Sequence, residues 1–278
     1  MFPDASTGSL SPAVLLQFAT EELYLTVVPL LTGIREKYYE TYLDTLYTPS
    51  TASITLPQRA LGNALSSVQF IYNNMVRQLM PIDPGQITTV QPSAYPDNFY
   101  FQNNSIVLYP PPNASLGTIR MRYFQRPNRL EQTINCAQIT NVNLSTGVVT
   151  CTPPTAWTTS NTFDFIPKYA GQATPYGLGS TISNISGSSM TFSSIPQTAV
   201  VGDWIALTEY TPIPEIPFEL QALLAQATAC RALAAVNDPT GLPNAKGDLQ
   251  IMAASAVKLL TPRDQGGSKR IVSGWRQF

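Results

Sequence analysis

The sequence predicts an α+β fold: a helical bundle built from the two ends of the chain, an antiparallel β region, and an inserted, duplicated β barrel or sandwich module. Three observations predict it. Long amphipathic helical patterns occur only near the two ends, the stretch between them alternates polar and apolar residues with a period of two, and residues 139–205 state one strand-turn-strand phrase twice. The expected layout is N-terminal helices in 1–50, an antiparallel β region in 51–130, the duplicated module in 131–211, C-terminal helices in 212–262, and an extended basic arm in 263–278.

Ser11 is an N-cap candidate with Pro12 at the first helical position, and Leu15, Phe18, Ala19 and Leu23 lie on one apolar face. Pro29 and Gly33 interrupt the helix, because an internal proline removes a ladder bond and clashes with the preceding turn. Residues 34–47 continue as a second helical piece, stacking Tyr38, Tyr42 and Leu46 at i, i+4 and i+8.

Beyond Pro49 the grammar changes to strands. Residues 68–72 and 75–79 flank Asn73 and Asn74, and residues 99–101 and 106–109 flank Asn103 and Asn104, so both read as hairpins whose asparagines tolerate the positive φ of tight turns. Residues 118–123 alternate strictly, with Ile119, Met121 and Tyr123 on one face and Arg120 and Arg122 on the other. The run Pro110, Pro111, Pro112 cannot sustain a ladder and is a connection.

The duplicated phrase has a strand, a glycine turn at Gly147 or Gly187, a second strand, a proline at Pro153 or Pro196, and a closing aspartate at Asp164 or Asp203. The glycine-rich residues 169–180 read as a flexible connection between the copies. Pro212, Pro214 and Pro217 mark a stiff linker, and residues 218–236 and 244–260 return to helix, rich in alanine and leucine. The two ends bury each other because they hold the only such faces.

Composition narrows the function. Of 278 residues 12% are charged, about half the usual share of roughly 25%, and the net charge is −1. A free-standing protein that grips nucleic acid by neutralising phosphates is disfavoured. No uninterrupted apolar run approaches about 18 residues, so no membrane partner is expected. The three cysteines, Cys136, Cys151 and Cys230, lack metal-site spacing and fit reduced structural thiols, with a Cys136–Cys151 bridge left open.

Histidine is absent, which removes histidine-dependent nucleophile systems, histidine zinc sites and the commonest general base. The carboxylates Asp44, Asp83, Asp97, Asp164 and Asp203 are scattered, and no pair has the spacing a glycosidase needs. Asp164 and Asp203 are expected to accept backbone hydrogen bonds, since one aspartate per turn supplies too few oxygens for Ca²⁺. The glycines of 171–179 are followed by no Lys-Ser/Thr pair and form no phosphate loop. No catalytic residue, cofactor or metal is expected.

Two groups of residues are candidates for contact with partners. Arg120, Arg122, Arg126 and Arg129 lie on one extended segment and suit inter-subunit carboxylates or the wall of a DNA channel, the former preferred. The arm offers Arg263, Lys269, Arg270, Trp275, Arg276 and Phe278, cations with aromatic anchors that gain little by packing on their own domain.

The order of these features resembles head-to-tail adaptor (connector or neck) proteins of tailed bacteriophages. The resemblance is carried by Glu22-Leu23 with Val27-Val28-Pro29-Leu30-Leu31, Arg35 with Tyr38-Tyr39, Leu56-Pro57-Gln58-Arg59-Ala60, Val107-Leu108-Tyr109 before the prolines, Arg122-Tyr123-Phe124-Gln125-Arg126-Pro127-Asn128-Arg129-Leu130, and Ile216-Pro217-Phe218 with Leu220. It implies a virion structural protein and no enzyme. The implied assembly is a homo-oligomeric ring, commonly twelvefold in that family, located in the virion neck after assembly in the host cytoplasm. Its partners would be the portal protein, reached by the C-terminal arm, tail or nozzle proteins below, and viral DNA passing through the lumen without sequence-specific binding. The duplicated module departs from that pattern. A tail or baseplate subunit whose β module binds glycans or fibres is the competing reading.

Overall fold

The computed structural model describes residues 10–48, 53–87, 93, 95–112, 117–168 and 175–261. The protein is mixed α+β, mostly sheet with few helices. The arm at 263–278 lies outside the described residues.

The first helix, α1 (Pro12–Glu22), is capped as its sequence requires, with Ser11 Oγ accepting from Val14 N at 3.4 Å. Leu23–Val27 then widens into a π turn before α2 (Val28–Ile34). This is how the chain accommodates Pro29: the missing N–H and the crowded carbonyl four residues back are absorbed by one wider turn, and the helical run continues. Contrary to expectation, Pro12–Ile34 is long and apolar enough to cross a bilayer, 23 residues with a mean hydropathy of 1.4 over an 18-residue stretch. Glu21 and Glu22 break the apolar run, yet the mean stays high enough. Both carboxylates pair with Arg231, and Leu23, Val27, Val28 and Leu31 are buried.

The second expected helical piece is overturned. Residues 40–47 form a strand, β1 (Glu40–Tyr47). It is followed by β2 (Ile54–Thr55), β3 (Ala60–Tyr72), β4 (Met75–Pro81), β5 (Asn98–Gln102), β6 (Ser105–Tyr109) and β7 (Gly117–Gln125). A helix would satisfy its own backbone, but β1 pairs along its full length with β7, from Glu40↔Phe124 to Tyr47↔Gly117. Thr41, Thr45 and the tyrosines suit that ladder.

These strands make one seven-stranded sheet in the order β1-β7-β3-β4-β5-β6-β2. Both hairpins form as expected, with positive φ at Asn73 (48°), Asn74 (61°) and Asn103 (55°). Ile119, Met121 and Tyr123 of β7 are buried on one face, the first two in a core with Phe70, Ile106 and Leu79.

The inserted module follows β8 (Arg129–Leu130). It comprises β9 (Ala137–Gln138), β10 (Asn141–Asn143), β11 (Val148–Thr150), β12 (Thr162–Ile166), β13 (Tyr176–Ser186), β14 (Ser189–Phe192) and β15 (Trp204–Leu207), and β16 (Tyr210–Thr211) returns to pair with β8. Its sheet runs β10-β11-β14-β13-β12-β15-β9. The two ends of that order belong to one continuous segment, 137–143. Ile139 N bonds to Asp203 O at 2.8 Å on one side and Thr140 N to Thr150 O at 2.8 Å on the other. The sheet is therefore a nearly closed barrel.

The duplication is visible in the pairing: equivalent strands of the two copies lie side by side and antiparallel, β11 on β14 through Val149↔Met190 and β12 on β15 through Phe165↔Ile205. Each copy completes the other's apolar face around Phe163, Phe165, Phe192 and Trp157. Part of the expected flexible connection is instead the start of β13, paired with β12. Gly177 makes this close approach, since a Cβ there would lie 2.2 Å from Pro196 Cγ.

After Pro217 come α3 (Phe218–Ala235) and α4 (Gly241–Leu260). Leu220, Leu223 and Leu224 of α3, Ala256 and Leu260 of α4, and Leu23, Val27 and Leu31 near the N-terminus share one core with Tyr39 and Ile216.

Candidate functional site

The helices, the first sheet and the barrel meet at a buried polar node. Arg59 stands in the turn before β3, Asn128 between β7 and β8, Asp164 on β12, and Glu215 in the linker before α3, all less than 9% exposed. Asp164 Oδ2 accepts from Arg59 Nη2 at 2.5 Å, Asn128 Nδ2 at 3.0 Å and Glu209 N at 3.0 Å, while Oδ1 accepts from Gly179 N at 3.0 Å. This carboxylate is saturated by donors from three directions. Both of its oxygens are engaged by donors, so its role is that of a rivet.

Glu215 completes the node. Its Oε2 accepts from Asn128 N at 3.2 Å, and its backbone carbonyl accepts from the Tyr39 hydroxyl at 3.0 Å. Burial pushes its carboxyl up to about 8, against the pull of the Asn128 N–H and the Arg59 guanidinium, and Asp164 adds to the rise. The helices are stitched to the same place: Tyr24 Oη donates to Pro127 O at 2.7 Å, and Thr20 Oγ1 accepts from Leu130 N at 3.2 Å.

Asp203, the matching residue of the second copy, accepts from Lys168 N at 2.9 Å, from Val200 N at 3.2 Å and from the Tyr176 hydroxyl. Backbone hydrogen bonding by both aspartates is thus found as expected. The duplication has diverged in use, since Asp203 holds its own barrel together and Asp164 also reaches outside it.

The arginine row is split. Arg120 makes a two-pronged contact with Asp44 of the same chain, 2.8 and 2.7 Å, and lies over the Tyr42 ring at 4.2 Å, with Arg122 5.9 Å from the same ring. Arg126 pairs with Glu209 at 3.2 Å. Arg129 is exposed and reaches no carboxylate among the described residues. Arg120 and Arg122 thus decorate the outer face of the first sheet, and Arg126 and Arg129 border the node.

Compared with known proteins, the chain matches no family model and no curated protein. Its surfaces carry the remaining information. β1 is the edge of its sheet, eight residues long, with no strand on its outer side among the described residues. Leu43 pairs with Met121 and shares its inward face, yet is 41% exposed where Met121 is fully buried. On the opposite face Tyr42 and Leu46 are exposed too. An uncovered strand edge that exposes Tyr42, Leu43 and Leu46 and also carries Glu40 and Asp44 offers unpaired backbone groups as a template for another strand. Leu25, Phe218, Ile251 and Leu259 leave further apolar surface on the helices.

The arm residues Arg263, Lys269, Arg270, Trp275, Arg276 and Phe278 lie outside the described residues. The three cysteines are free and buried, and burial pushes Cys136 up to about 12 and Cys151 up to about 11, which keeps both as unreactive thiols. Among the described residues no cluster of histidine, cysteine or carboxylates is placed to hold a metal.

Sequence reasoning missed Arg59, Asn128 and Glu215, and it missed Leu43 by assigning it to a helix. One usable signal existed: Asp164 sits between Phe163 and Phe165 in an apolar strand, where an unpaired charge is too costly to keep.

Proposed function

We propose that this protein is a virion structural protein, the head-to-tail adaptor of a tailed bacteriophage. In this reading copies of the chain form a ring, most simply a dodecamer, beneath the portal, joining capsid to tail around the DNA exit channel. The observation that carries it is the unfinished edge at β1, where Leu43 faces the core side and remains open. A subunit that completes its sheet with a neighbour has that feature, and the two charges on this edge, Glu40 and Asp44, are engaged within the chain by Ser66 and Arg120.

Three further features support the reading. Charged residues are sparse, as expected of a chain that buries surface against copies of itself. The uncovered apolar residues of the helices supply a second contact, and here the N- and C-terminal helices act together as the bundle that forms the ring wall. The buried node makes helices, sheet and barrel one piece, which transmits load between head and tail without hinge motion. The arm at 263–278 would reach the portal, and the barrel would face outward or toward the tail.

Native mass spectrometry and negative-stain microscopy of the protein mixed with portal test the proposal. Rings that form on the portal are expected. Trimers, or monomers that ignore it, would sink the adaptor reading, and trimers would favour a tail or baseplate subunit. Deleting 263–278 should abolish portal binding and leave the fold intact.

A further inference from the structure

Beside the buried node lies a cavity of about 10 Å³, which admits the centre of one water-sized body, lined by Tyr24, Arg59, Arg126, Asn128, Arg129 and Glu209. Three arginines border a space with room for a single small guest. One of them is incompletely satisfied: Arg59 spends Nη2 on Asp164, but its buried Nη1 has no acceptor in the protein. A buried N–H of a charged group left without a partner is costly, and the cheapest remedy is an acceptor in the adjoining cavity.

The charges ask for the same guest. Asp164 offsets Arg59 and Glu209 offsets Arg126, leaving Arg129 without a carboxylate among the described residues. Glu215 does not make up the difference near neutrality, because burial keeps its proton on. Nor does Tyr24: burial holds its phenol above the ordinary value although Arg126 and Arg129 pull it down, and its hydroxyl hydrogen is committed to Pro127 O. The walls hold more positive charge than negative.

We propose that this cavity is a binding site for one small monoanion of the size of chloride, held between Arg59 Nη1 and the guanidinium groups of Arg126 and Arg129. The small room excludes a tetrahedral oxyanion, and with it a phosphate of the nucleic-acid backbone. The site ties the turn carrying Arg59 to the segment carrying Arg126 and Arg129, so occupancy stabilises the place where the start of β3 meets the β7–β8 connection. It is independent of whether the protein forms a ring.

Thermal unfolding is measured while sodium chloride replaces sodium gluconate at constant ionic strength, with sodium phosphate as a second comparison. Above the dissociation constant, the midpoint should rise by about 3 °C for each tenfold increase in chloride. Arg129→Gln, which leaves the β8 backbone pairing untouched, should lose at least half of that rise, and Arg122→Gln, away from the cavity, should keep it. Crystals soaked in bromide should show an anomalous peak against Arg59. Equal midpoints in the two sodium salts, an undiminished rise in Arg129→Gln, or no peak at Arg59 would each overturn the proposal. Stronger stabilisation by phosphate than by chloride would overturn the size assigned to the guest.

Discussion

Arg59 Nη2 meets Asp164 Oδ2 at 2.5 Å inside the protein, joining residues 105 positions apart in the chain. Neither side chain is more than 9% exposed, so the pair is sheltered from the screening that weakens surface ion pairs. Removing one partner leaves the other as a buried charge. Asp164→Ala is therefore expected to cost about 3–5 kcal/mol, whereas Asp44→Ala, which breaks the exposed pair with Arg120, should cost about 0.5 kcal/mol. Urea unfolding of the two variants checks the contrast. Equal costs would mean that the node is no rivet.

Glu215 makes stability depend on pH in a definite direction. Its folded value of about 8 lies above the ordinary 4.5, so the folded protein keeps a proton that the unfolded chain releases. The associated stability is fully present below pH 4.5 and is lost as pH rises toward 8. The loss is on the order of 5 kcal/mol, and Glu215→Gln should abolish this slope while keeping an acceptor for Asn128 N. Chemical denaturation at a series of pH values, wild type against variant, is the measurement. A variant that retains the same slope would move its origin to another group.

The contrast between β1 and the two asparagine hairpins shows what local sequence encodes. Turns at Asn73-Asn74 and Asn103 follow from the positive φ that these residues tolerate, a property independent of the rest of the fold. Tyr38, Tyr42 and Leu46 recur every four residues, a spacing that satisfies a helix and, being even, equally a strand. What decided the matter was β7, a long alternating strand 70 or more residues away that offered a full ladder. The duplicated phrase was legible, because repetition needs no partner to be seen. The Arg59–Asp164 pair was not, since no periodicity links a turn before β3 to the middle of a barrel strand.

Gly177 and Gly187 separate backbone strain from packing in the barrel. Both have positive φ, 58° and 56°, so alanine is strained by about 1 kcal/mol at either. At Gly187 a Cβ meets nothing within 4 Å, whereas at Gly177 it would lie 2.2 Å from Pro196 Cγ and 3.1 Å from Phe165 Cδ2. Gly187→Ala should cost about 1 kcal/mol and Gly177→Ala about 3 kcal/mol, because Pro196 must be displaced along with the edge of the Phe165 ring. Thermal unfolding of both variants reads the difference directly, and similar losses would show that Pro196 yields without cost.

Leu43 offers the sharpest test of the assembly reading, because its two roles predict opposite outcomes. Its side chain is 41% exposed, so Leu43→Lys should change monomer stability by only about 0.5 kcal/mol. On the free edge of β1, however, a lysine on the core-side face puts a charge where an added strand would cover it, the device that natural sheets use to refuse partners. The variant is expected to fold like the wild type and to fail to form rings with the portal, as seen by native mass spectrometry. Leu259→Lys, on the exposed side of α4, tests the second surface in the same way. If Leu43→Lys assembles normally and Leu259→Lys does not, the helices alone hold the ring and the edge of β1 serves another strand.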